Sequence, residues 1–92
     1  MALAPEDERR AILVRKLVVV GCLGPKDVGS FDPMADLENA GMSAVSRAKE
    51  HRIDRQDVRE LRAAIQILLD FGEAVPAVAV PLMEQLKPYS NG

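Results

Sequence analysis

Two side chains in this sequence could act as a nucleophile, a base or a soft metal ligand, namely Cys22 and His51. A nucleophilic cysteine needs a nearby base, and nothing in the sequence brings the only histidine to the only cysteine. Zinc needs about four nitrogen or sulfur ligands, which these two residues cannot supply. We therefore predict no catalytic, metal-binding or cofactor-binding residue, and a protein that is not an enzyme. Cys22 is expected to be a small buried apolar residue, and His51 to lie on the surface.

A cluster of basic residues in the middle of the chain could instead recognise phosphate or carboxylate groups. On a helix, three of its arginines form one stripe beside the apolar face. Acidic residues are interleaved at spacings that permit pairing, and the formal net charge is −2 with a pI near 5.3. The pattern favours a mixed-charge surface facing a protein over one facing nucleic acid. The cluster comprises Arg47, Lys49, Arg52, Arg55, Arg59 and Arg62.

Helices are the elements that must position these residues, and the clearest is the third. Asp54 is a candidate N-cap, Gly72 a candidate stop, and four apolar residues between them repeat at helical spacing. Those four are Val58, Leu61, Ile65 and Leu68. This continuous stripe could also form a seam between two copies of the chain.

The other three helices have less certain limits in the sequence. The first is predicted over about 5–20, although the β-branched residues 18–20 leave a short strand open. The second begins near Asp32, and Gly41 allows a break followed by a shorter helix capped by Ser43. The fourth begins near Pro76 or Pro81 and ends before Pro88, leaving 88–92 as a disordered tail. The expected inner face of the second helix is Met34, Leu37, Met42 and Val45.

Together these patterns predict an all-α fold with one domain over residues 1–92, a small bundle of about four helices. The third and fourth helices should pack as an antiparallel C-terminal hairpin through Gly72. The longest apolar run, 17–20, is too short to cross a bilayer, and a single cysteine fits a reducing cytoplasm.

One part of the chain resembles a known family. The stretch 53–87 has an acidic cap, a leucine–arginine helix, the turn Asp70-Phe-Gly72 and a final apolar helix. In these features it is similar to the C-terminal part of MerR-like chaperone modulators. Two residues are missing near 76–81, and residues 30–51 match nothing in that family. The resemblance implies direct binding to a J-domain co-chaperone.

We therefore predict a small regulatory or adaptor protein that binds a partner protein and occludes one of its functional surfaces. The sequence leaves open a DNA-binding transcriptional regulator or cofactor, and also a small accessory subunit of a larger enzyme. A homodimer is a further possibility that the sequence does not decide. The predicted partner-binding residues are Arg55, Arg59 and Arg62 as a charged rim, with Leu69 and Phe71 as apolar anchors.

Overall fold

A computed structural model describes residues 4–24 and 28–90, and this part of the chain forms four α-helices, one short 3₁₀ helix and no strand. A radius of gyration of 12.2 Å matches the roughly 12 Å expected for a folded chain of this length. The predicted all-α bundle is confirmed. The helices are α1 (Pro5–Val19), α2 (Ala35–Lys49), α3 (Arg55–Asp70) and α4 (Pro76–Ser90), and the 3₁₀ helix (Val28–Ser30) precedes α2.

Helix α3 lies between α1 and α4, and α2 packs on α4. Arg59, early in α3, donates a hydrogen bond to the carbonyl of Ser90 at the end of α4, so these two helices run antiparallel, as predicted. Helices α2 and α4 run in the same direction, because their first halves line one cleft and their ends line another. Within the described residues, none of the helices is long and apolar enough to span a membrane.

The sequence features of α3 produce the structure that they predict. The Asp54 carboxylate accepts the backbone N–H of Asp57 at 2.8 Å and so caps the helix. All four residues of its apolar stripe are at most 1% exposed, packed in the core that α3 shares with the other helices. The idea that this stripe forms a seam between two copies is therefore wrong, since the chain's own core already covers it.

Helix α2 continues through Gly41 without the break that the glycine suggested. Its buried face consists mainly of small residues, and two residues assigned to the inner face are in fact exposed, Met34 by 51% and Met42 by 67%. The prediction failed because small side chains, not methionines, allow α2 to lie close to α4. The buried residues of α2 are Leu37, Ala40, Gly41, Ala44, Val45 and Ala48.

Helix α4 is longer than predicted and contains both Pro81 and Pro88. The expected end at Pro88 and the disordered tail from 88 are corrected for residues 88–90, which form the last turn, with Ser90 only 1% exposed. Side chains from α3 hold this turn in place, which local sequence does not reveal. Residues 91–92 lie outside the described residues. At the other end of the chain, α1 remains helical to Val19, which rules out the strand alternative.

Candidate partner-binding groove

Two of the predicted rim arginines are engaged within the chain. Arg59 Nε donates to the backbone carbonyl of Ser90 at 2.8 Å, and Arg62 Nη1 donates to the Ser90 hydroxyl at 2.9 Å. That hydroxyl donates in turn to the carbonyl of Lys87. Arg59 therefore satisfies a backbone carbonyl at the end of α4 that has no intrahelical donor, and Arg62 holds the hydroxyl that bonds to Lys87.

The predicted apolar anchors lie elsewhere. Phe71 is 62% exposed just beyond α3, with the guanidinium carbon of Arg9 4.0 Å from its ring centroid. It lies about 13 Å along the helix axis from Arg62, and on the α1 side of α3 rather than the α4 side. Leu69 is half-buried against the core, and Arg55 is exposed at the opposite end of α3. The structure thus does not bring the five predicted residues into one patch.

The α1–α3 contact is lined with ion pairs. Lys16 Nζ lies 3.1 Å from an Asp57 carboxylate oxygen and also pairs with Glu60. These contacts raise the pKa of Lys16, and the hydrogen bond from Lys16 lowers the pKa of Glu60.

At the other end of this contact, Arg9 pairs with Glu73, and Arg10 Nε lies 3.7 Å from the second oxygen of that carboxylate. The Glu73 side chain is only 10% exposed. Together with the arginines on Ser90, these pairs occupy many of the cations that a nucleic-acid surface would need.

An open groove between α2 and α4 is the main feature that the sequence did not predict. Its volume is about 270 Å³, and Met42 on its wall is one of the most exposed large apolar side chains in the described structure. The floor and walls are mostly apolar, with one carboxylate and one amide. The lining residues are Glu38, Met42, Ala77, Val78, Pro81, Leu82 and Gln85.

The groove owes its shape to close contact between α2 and α4 at Gly41. A Cβ atom at this position would lie 2.6 Å from Leu82 Cδ1 and 3.0 Å from Leu82 Cγ, so a larger residue would collide with Leu82. Leu82 is 6% exposed and contributes to the groove as well as to the core. The next residue, Met42, is rotated by about 100° around the helix and faces the opening.

The polar groups of the groove are mainly hydrogen-bond acceptors. Among the described residues that line the groove, Glu38 supplies the only charge. Pro81 has no backbone N–H, so the carbonyl of Ala77, one turn earlier, receives no hydrogen bond from position 81. Gln85 can donate or accept through its amide. A group entering the groove therefore meets mainly apolar side chains, with the carboxylate of Glu38 and the amide of Gln85 as the polar side-chain groups.

A second cleft of similar volume, about 270 Å³, lies where the ends of α2 and α4 meet the start of α3. It contains His51, whose backbone is left-handed with a φ of 58°, together with Arg55 and Tyr89. The nearby Asp54 carboxylate is already used to cap α3. Across residues 4–24 and 28–90, no three His, Cys, Asp or Glu side chains are grouped so that they could hold a metal ion.

Cys22 is half-buried in the segment after α1, and burial raises the pKa of its thiol. The thiol contacts the carbonyl of Val20, and the hydroxyl of Ser43 and the guanidinium of Arg47 act on its pKa in the opposite direction to burial. Neither is a general base at neutral pH. The surroundings of Cys22 therefore stabilise the unreactive thiol rather than the thiolate.

A signal for the groove was present in the sequence. Leu37, Ala40, Gly41, Ala44 and Ala48 follow the three–four spacing of a helix face, and this face leaves Met42 on the outside.

Comparison of the chain with protein-family models, with curated proteins and with solved structures finds no match.

Proposed function

We propose that this protein is a small, non-enzymatic regulator or adaptor of the cytoplasm that binds a partner protein and covers one of its functional surfaces. The observation that carries the proposal is the open apolar groove between α2 and α4, with Met42 67% exposed on its wall. Exposed apolar side chains around a concave site are typical of protein interaction surfaces.

The size of the groove favours a side chain of another protein over a free metabolite. Pockets that enclose drug-sized ligands have volumes of about 300–1,000 Å³ and bury most of the ligand. The groove holds about 270 Å³ and is open along one side, so it is better suited to one or two anchoring side chains. Binding through a few such anchors is how most protein interfaces obtain their affinity.

The resemblance of residues 53–87 to MerR-like chaperone modulators makes a J-domain co-chaperone the first partner to test. Two arginines of that segment support the groove and do not form the predicted rim around it. Arg59 and Arg62 hold the last turn of α4 and so support the helix that forms one wall of the groove. Binding to DNA has less support, because Arg9 and Lys16 of α1 and Arg59 of α3 already have partners within the chain.

The proposal is tested by capturing proteins from lysate of the native host with the tagged chain, and quantifying them by mass spectrometry. Met42→Asp places a charge in the groove at an exposed position, where the effect on folding should stay within about 0.5 kcal/mol. We expect this variant to lose a partner that the wild type retains, with recovery lowered about tenfold or more, which corresponds to about 1.4 kcal/mol of binding free energy.

Met34→Asp is the matched control, because Met34 is a second exposed methionine at the start of α2 but does not line the groove. It should retain the same partner as the wild type. Equal recovery of the partner by the wild type, Met42→Asp and Met34→Asp would show that the groove is not the binding surface. Loss of the partner in Phe71→Ser alone would instead place the surface at the α3–α4 turn.

A further inference from the structure

The chemistry of the groove also limits what kind of protein segment can occupy it. The groove lies between two α-helices, and a pair of helices offers no strand edge to an extended peptide. What it does offer is a row of apolar contacts from Val78, Leu82 and Met42, which is the surface that an amphipathic helix covers. A helical segment is therefore the better fit.

The polar groups of the groove select the charge of that segment. Glu38 is exposed at the rim, and its ionised carboxylate can only accept hydrogen bonds. Within residues 4–24 and 28–90, neither a lysine nor an arginine lines the groove. An incoming acidic side chain would face repulsion from Glu38, whereas an incoming lysine or arginine would find an opposite charge that accepts its hydrogen bonds.

We propose that the α2–α4 groove binds an amphipathic helix of a partner protein that places a lysine or arginine beside Glu38. This inference rests on the proposed function and adds the class of the binding segment. The apolar side chains of the helix contact Met42, Val78 and Leu82. These apolar side chains of the partner helix follow the i, i+3, i+7 spacing of one helix face.

A second copy of the chain is a weaker candidate for the occupant. Helix α1 has an exposed strip that combines two apolar side chains with one basic side chain, namely Ile12, Val19 and Arg15. However, a contact between α1 of one copy and the α2–α4 groove of another uses two different surfaces. Such head-to-tail contacts produce open chains of subunits unless the geometry closes into a ring.

The test uses two synthetic helical peptides with the same leucines at i, i+3 and i+7. One carries lysine one turn before the first leucine, and the other carries glutamate there. Binding is followed by the NMR signal of the [¹³C]methyl group of Met42, and the dissociation constants are measured by titration. We expect the lysine peptide to shift the Met42 signal and to bind about threefold to tenfold more tightly than the glutamate peptide.

Charge reversal on the protein makes the test specific. Glu38→Lys should invert the preference between the two peptides, and high salt should reduce it because the charges are exposed. Glu84→Lys is the matched control, since Glu84 is also exposed but does not line the groove, and it should leave the order of affinities unchanged.

Three results would overturn the proposal: an unchanged preference in Glu38→Lys, an unshifted Met42 signal with both peptides, or concentration-dependent self-association abolished by both Met42→Asp and Ile12→Asp. The first two leave the proposed function intact if a host protein is still lost on Met42→Asp. If that capture experiment fails while the peptides bind as expected, the groove recognises helices but the regulator proposal is wrong.

Discussion

The α1–α3 and α2–α4 contacts join helices of similar length in different ways. Along α1–α3, Lys16 and Arg9 form ion pairs near the two ends of the contact, and Arg9 also covers the ring of Phe71. Between α2 and α4, the described residues form no ion pair, and the helices meet through the close contact of Gly41 with Leu82. The open groove lies on the second contact, whose apolar surface is not closed over by charged side chains.

The comparison indicates which properties each contact should have. The partly exposed ion pairs of the α1–α3 contact should respond to salt and pH, in addition to the apolar packing that this contact shares with the rest of the core. A contact joined by close packing responds to volume and hardly to salt. The following variants test this division, beginning with the largest effect on the free energy of unfolding.

Gly41→Val should be the most damaging of these changes. Its Cβ would already overlap the side chain of Leu82, and the two added methyl groups need still more room, so either this buried side chain or α2 itself must move. Overpacking of this kind typically costs about 1–3 kcal/mol, and the crowding here places the variant at about 3 kcal/mol. Urea denaturation followed by circular dichroism measures the change, which should be the same in low and high salt.

Gly29→Val is the control for this variant, because nothing lies within 4 Å of a Cβ built on Gly29. Its effect should stay within about 0.5 kcal/mol. Similar losses in the two variants would show that valine at a glycine position is costly in itself, and that α2 does not depend on close contact with Leu82.

Arg9→Gln should have a smaller effect at the other contact. It removes the partner of the Glu73 carboxylate and the cation over Phe71, and leaves Glu73, at 10% exposed, with Arg10 alone at 3.7 Å. Losing a hydrogen bond to a charged group and an exposed cation–π contact should cost about 1–2 kcal/mol. Arg15→Gln, at an exposed position of the same helix, should change stability by less than about 0.5 kcal/mol. If the two variants are equally stable, the Arg9 contacts do not hold α1 to α3.

The two contacts also differ in how well the sequence predicts them. Helix α3 was predictable because the Asp54 cap, the apolar spacing and the Gly72 stop lie within one segment and agree with one another. The face of α2 was predicted incorrectly, because the apolar methionines outweighed the three–four spacing of the small residues, and the contact with Leu82 shows that Gly41 is the buried residue.

The candidate site was harder to predict than the fold for a related reason. The arginine stripe on α3 is visible in the sequence. Whether Arg59 is free to bind a partner depends on its contact with Ser90, which lies 31 positions later. Local patterns show which side chains share a helix face, whereas a contact between distant positions decides whether that face remains available. The groove depends on such contacts throughout, since its two walls are separate helices.

The Lys16–Glu60 pair provides the smallest and most condition-dependent test. The pKa of Glu60 is lowered in the folded protein, so its contribution to stability is present above the unfolded-state pKa and is lost as pH falls through the folded value. The pKa of Lys16 is raised, so its contribution is lost only as pH rises through the folded value of the lysine. The pair therefore stabilises the fold at neutral pH and weakens in both acid and strong alkali.

Glu60→Gln should accordingly be slightly less stable than the wild type at neutral pH and low salt. The difference should shrink as pH falls through the lowered pKa of Glu60, and also in about 1 M salt, where the Debye length is only about 3 Å. Denaturation curves at several pH values measure this difference in stability. Glu84→Gln on α4 is the exposed control, and its difference from the wild type should not shrink in acid. A difference that persists unchanged in acid would mean that packing of the Glu60 side chain, rather than its charge, joins α3 to α1.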